Sequence, residues 1–171
     1  MSEIQTTNWS ETAASNNAAP PAGMPEGQVA STVNDTVREL MAAEKRSFNR
    51  IHGLDNAGAL VTSGGTSTAY TVTYTTAPAT LFTGFLFGFK VHATCGAAPT
   101  VNVNALGAKN LQKVTTTGIV DLAADDLESL SFCLGRYDAA LDKVIVLTPL
   151  ATGLTDPMTT RGDVIIRNAS N

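Results

Sequence analysis

From residue 56 to 150 the chain alternates apolar and polar positions with a period of two, the pattern of strands that bury one face. Tyr70, Val72 and Tyr74 alternate with Thr71, Thr73 and Thr75. Phe85, Phe87, Phe89 and Val91 alternate with Leu86, Gly88, Lys90 and His92. Val101 and Val103 alternate with Asn102 and Asn104, and Leu130, Phe132 and Leu134 with Ser131 and Cys133. Val144 to Leu147 is apolar at every position, as in a strand covered on both faces. Turn signals separate these runs: Gly64-Gly65, Ala77-Pro78, Gly96 to Pro99, Gly107, Gly118, and Asp138 to Asp142. Several short strands at this spacing predict a mainly β fold, an antiparallel sandwich or barrel, read as a jelly-roll-like β-sandwich over 56–150. Leu122 to Leu130 interrupts the pattern and reads as a loop.

Residues 32–53 carry a different period. Val37, Leu40, Met41, Phe48 and Ile51 recur at helical intervals, and Arg38, Glu39, Lys45, Arg46 and Arg50 fill much of the remainder. Thr32 and Asp35 have capping-box spacing, and Gly53 is the expected stop. A lone helix with a narrow apolar stripe cannot bury that stripe in itself. It packs either on the following domain or on copies of itself, and self-association makes this the oligomerising element.

The ends have no such period. Residues 1–31 read as an extended arm: Pro20, Pro21 and Pro25, with Gly23 and Gly27, exclude a helix there. The arm holds Trp9, the one tryptophan, and Met24. An aromatic side chain on an extended arm is suited to anchoring in a partner's pocket. Residues 151–171 read as a linker with Gly153 and Pro157, then a turn at Arg161-Gly162-Asp163 and a strand at Val164, Ile165 and Ile166. A single strand needs a neighbour to pair with.

Composition narrows the functional classes. Charged residues are 15%, against about 25% in an ordinary soluble domain. Residues 56–89 contain no charge at all. A net charge of −4 argues against a nucleic-acid surface. No apolar run approaches the roughly 18 residues of a membrane helix, so no membrane insertion is expected. No secretory leader is expected either. Cys95 and Cys133 are the two cysteines; spacing alone leaves open whether they pair. A zinc site would need both to converge with His52 and His92, without the usual close cysteine spacing. The chain carries no phosphate-binding glycine loop and no nucleophile elbow. Asp125, Asp126 and Glu128 form an acidic loop. Neither an enzyme nor a cofactor is expected.

Several segments together resemble a family. Asn8-Trp9-Ser10, Asn16-Asn17, Pro20 to Gly27, and Val33-Asn34-Asp35-Thr36-Val37-Arg38-Glu39-Leu40-Met41 follow one another as in the N-terminal region of bacteriophage and prophage tail fibre proteins. The stretch Thr100 to Lys109, TVNVNALGAK, resembles a β-domain of such proteins, as do Tyr70 to Tyr74, Phe85 to Val91 and Tyr137-Asp138. Ala139 stands where a glycine is usual there. Met158 to Ile165 is similar to the start of a fibre shaft, which would begin at Val164, Ile165 and Ile166.

The resemblance implies a structural virion protein, a homotrimer made in the host bacterial cytoplasm. Its N-terminal part would fix a fibre to the tail tube, nozzle, adaptor or baseplate protein and so support host attachment. Trp9, Pro20, Pro21, Met24 and Pro25 would dock. Two other roles suit the same pattern. One is a carbohydrate-binding β-sandwich reading host glycans through Tyr70, Tyr74 and Tyr137; the other is a fibre or decoration protein of the capsid head.

Overall fold

The structure, a computed structural model, describes residues 15–19, 23–148 and 150. Trp9, Pro20, Pro21, Val164, Ile165 and Ile166 lie outside the described residues.

One helix precedes a curled, β-rich sheet. Helix α1 runs Ala30–Ile51 and begins earlier than the capping-box reading places it. The N-cap residue is Val29, with extended backbone and no side-chain cap. Thr32 already lies in the first turn: its hydroxyl donates to the Val29 carbonyl at 2.9 Å, while Gln28 Nε2 donates to the hydroxyls of Thr32 and Thr36. Asp35 pairs instead with Arg38 at 3.5 Å. The C-terminal stop is as expected. Gly53 has φ +62°, its N–H donates to the Arg50 carbonyl, and the Leu54 N–H donates to the Asn49 carbonyl. That is a Schellman closure, which favours glycine because of the positive φ.

Eight strands follow: β1 Gly64–Thr66, β2 Ala69–Val72, β3 Leu86–Lys90, β4 Thr100–Val103, β5 Ala108–Thr115, β6 Gly118–Asp121, β7 Phe132–Asp138 and β8 Lys143–Val146. They pair in the order β1-β2-β4-β5-β8-β7-β3, and β6 pairs with β5. The sheet is mixed, which corrects the expectation of a wholly antiparallel arrangement. β2 runs parallel to β4, and β5 parallel to β8. Parallel neighbours need a crossover, and here β3 and the β6–β7 segment supply them. β5 links the two halves of the curl. Its first residues pair with β4, and its later residues with β8 and β6.

The concave side holds the core. Phe85, Phe87, Phe89 and Val91 are fully buried from β3 and its flanks, facing Tyr70, Val72, Val101 and Val103. Neighbouring phenylalanine ring centroids lie 5.9 and 6.2 Å apart. Each such side chain contributes about 1.5–3 kcal/mol by leaving water. The two core tyrosines satisfy their hydroxyls internally: Tyr70 donates to the Ala93 carbonyl and Tyr74 to the Gly88 carbonyl. Burial holds both phenols well above the usual range.

On β7 the predicted phase is reversed. Cys133, Gly135 and Tyr137 face inward, whereas Phe132 is exposed and Leu134 half-buried. The larger apolar residues sit on the outer face because the inner one is crowded. A Cβ on Gly135 would meet a Val144 methyl at 2.7 Å and the Phe87 ring at 3.3 Å.

The acidic loop after β6 is pinned from within. The Asp126 carboxylate, fully buried, accepts from Lys113 Nζ at 2.6 Å and from the Ala123 N–H at 2.7 Å. Cys95 sits against the same loop, its Sγ accepting from the Leu127 N–H. Cys95 and Cys133 are both free and buried. Burial first, then the negative charge of a Cys95 thiolate, pushes the Cys133 thiol up to about 12. The thiolate is the reactive form. Cys133 is therefore held in its unreactive form, and because both side chains are buried, neither cysteine should react with a maleimide at pH 7.5 in the native protein, whereas both should in denaturant. Labelling monitored by mass spectrometry checks this; rapid native labelling at Cys133 would contradict the burial.

Candidate functional site

The surface that stands out is the exposed side of α1. An amphipathic helix attached to a domain ordinarily turns its apolar stripe toward that domain. Here the orientation is inverted. Val37, Leu40, Met41 and Phe48 are 41%, 47%, 64% and 47% exposed, whereas Ala43, Asn49 and Arg50 are 0%, 8% and 3% exposed. Val29 and Val33 extend the exposed apolar set toward the N-terminus of the helix. Ile51, at its C-terminal end, is half-buried.

The inversion has a local cause. The helix docks through polar groups matched to backbone, and through close approach. Arg50 donates to the Thr76 carbonyl at 3.3 Å and lies 5.6 Å from the centroid of the Phe85 ring. Asn49 Nδ2 donates to the Asp55 carbonyl at 2.8 Å. Arg46 pairs with Glu39 at 3.0 Å along the same side. A cleft of about 140 Å³ remains between these side chains and residues 74–76. At the C-terminal end of the helix, Gly53 and Gly88 meet backbone to backbone: a Cβ on Gly53 would come within 2.7 Å of the Gly88 carbonyl oxygen. The Phe132 ring covers both glycines from the outside.

The exposed face has its own order. Phe48 stacks on His52 with ring centroids 4.1 Å apart, and Lys45 Nζ lies 5.5 Å from the Phe48 ring centroid. His52 caps the helix, its Nδ1 2.9 Å from the Phe48 carbonyl oxygen. Lys45 and Arg38, seven residues apart, edge the stripe on one side. Glu44, which the pattern of apolar positions passed over, lies in its middle. It is three residues from Met41, four from Leu40 and Phe48, and seven from Val37 and Ile51.

The other sequence candidates fall elsewhere. Met24 is exposed and Pro25 half-buried, its carbonyl accepting from the Gln28 N–H. Tyr70, Tyr74 and Tyr137 are all buried, so they present no exposed ring for a sugar to stack on. Tyr137 donates to Asp142 at 2.7 Å, and Lys109 pairs with the same carboxylate at 2.6 Å. Those contacts, Lys109 first, hold the Asp142 carboxyl below its ordinary value. His92 is tied to Ser63, whose hydroxyl lies 2.8 Å from Nδ1, and meets the Tyr70 ring edge-on. Among the described residues, no group of three or more His, Cys, Asp or Glu is placed to hold a metal ion. No helix among them is long and apolar enough to cross a membrane.

The outward face of α1 can therefore bury apolar area against another polypeptide; its width suits a helical seam. Compared with known families and curated proteins, the chain matches no family model and no curated sequence.

Proposed function

We propose that this chain is a structural, self-associating virion protein: the N-terminal anchoring part of a phage tail fibre. Three copies assemble through α1, and the arm that precedes the helix docks on a tail protein. The observation that carries the self-associating part is the inverted helix, which leaves Val37, Leu40, Met41 and Phe48 in water in the single chain. Six large apolar side chains exposed along one helix, counting Val29 and Val33, mark an interaction surface rather than scattered surface residues. The tail assignment rests on the sequence resemblance of the arm, the helix and the TVNVNALGAK strand. The curled sheet is read as a jelly-roll-like sandwich, and Val164, Ile165 and Ile166 as the start of the shaft. Low charge suits a permanent assembly, because few ionic groups lose water when faces close.

Virions produced with an epitope-tagged copy of the chain provide the test. Immunogold label is expected at the tail, and a chain lacking residues 1–27, which removes all the docking residues and spares α1 with its N-cap, is expected to keep its oligomeric mass but lose the label. Label on the capsid head, or unchanged incorporation without the arm, overturns the assignment.

A further inference from the structure

The exposed stripe of α1 contains one group that does not belong in a purely apolar seam. Glu44 is exposed and lies at its centre, among Leu40, Met41 and Phe48. Its helical neighbours at three and four residues' distance are Leu40, Met41, Ser47 and Phe48. None is a cation, and adjacent residues on a helix do not face each other, so Lys45 of the same chain does not serve. Covering the stripe leaves this carboxylate without water and without a cationic partner from its own helix. An unpaired buried carboxylate is strongly unfavourable.

The borders of the stripe differ in charge. Arg38 and Lys45 lie along one, and both are exposed. Thr36, Ala43 and Ser47 lie along the other and carry no charge. Two antiparallel copies would set the basic borders side by side. Parallel copies set the basic border of one helix beside the uncharged border of the next, within reach of that copy's Glu44. Lys45 is already drawn toward the stripe, over the Phe48 ring.

Resting on the self-association proposed above, we infer that the occupant of this face is a parallel copy of the same helix, and that Glu44 pairs with Lys45 of the adjacent copy. The pair sets helix direction and register. A single polar residue in an otherwise apolar seam performs that function at some cost in stability.

Charge reversal tests it in the full-length chain. Glu44→Lys places like charges together and should raise the dissociation constant about tenfold or more. The double variant Glu44→Lys with Lys45→Glu should restore most of the loss. In an otherwise native chain, Val33→Cys should give an inter-copy disulfide under mild oxidation, because parallel register brings position 33 beside itself. Circular dichroism of each variant confirms that the helix remains. An unchanged constant for Glu44→Lys, no rescue in the double variant, or no Val33→Cys crosslink overturns the inference. A native chain that is monomeric overturns the self-association reading itself, so the two failures are distinguishable.

Discussion

Leu40→Asp combined with Val37→Asp should convert the assembly into a folded monomer. Each substitution replaces an apolar contact of the seam with a carboxylate that must lose water when the face closes, at a cost of several kcal/mol per copy. At micromolar concentration that is enough to abolish a moderately stable oligomer. The monomer itself should survive, because both side chains are already about half exposed in the single chain. The far-ultraviolet spectrum should stay that of a β-rich protein with one helix. This separates the account from the alternative in which α1 is an ordinary core helix. In that case the same substitutions would unfold the chain, since burying an unpaired charge in a core is among the largest single-site penalties. Sedimentation velocity with circular dichroism distinguishes the outcomes. An unchanged mass would remove the seam.

Gly88→Val should be strongly damaging at the contact between the helix and the sheet. A Cβ at Gly88 would run into the Phe132 ring and come within 2.8 Å of the Ile51 carbonyl oxygen. The ring can rotate away, but the carbonyl belongs to the last turn of α1 and cannot move without lifting the helix end off the sheet. Overpacking of this kind costs about 3 kcal/mol, or roughly 10 °C in midpoint for a chain of this size. Gly88→Ala should cost less, and adding Phe132→Ala should return part of that loss, leaving the Ile51 contact. A thermal midpoint for Gly88→Val within a degree or two of the native one would show that the helix end does not dock as described. Loss of the docking should also free the orientation of α1 relative to the sheet, and so weaken assembly indirectly.

Much of the sheet was legible because its core strands alternate cleanly. Phe85, Phe87 and Phe89, like Tyr70 and Val72, face inward as their spacing requires. β5 and β6 were not legible. On β5 only Leu111 is buried, and every residue of β6 is exposed, so neither carries an alternating signal. β7 misled because small residues, Cys133 and Gly135, occupy the crowded inner face while Phe132 packs outside over two glycines. Its amino-acid sizes follow local space and not hydropathy. The parallel pairings of β2 with β4 and β5 with β8 depend on chain crossovers, which periodicity does not encode.

Most of the stripe on α1 was visible as Val37, Leu40, Met41, Phe48 and Ile51. Its direction was not. Hydropathy places charged residues outward, yet Arg50 and Asn49 turn inward because backbone carbonyls at Thr76 and Asp55 receive their donors. Val29 and Val33 were missed at the N-terminal end of the stripe, and Glu44 in its middle, although the spacing of Glu44 from Leu40, Met41 and Phe48 is that of the stripe.

The central claim is that this outward face is closed by further copies of the chain. The solution mass of the purified protein, by light scattering over a range of concentrations, tests it most directly. The account predicts a mass near three times 17.8 kDa. A folded species that stays at 17.8 kDa up to the highest concentrations would contradict it.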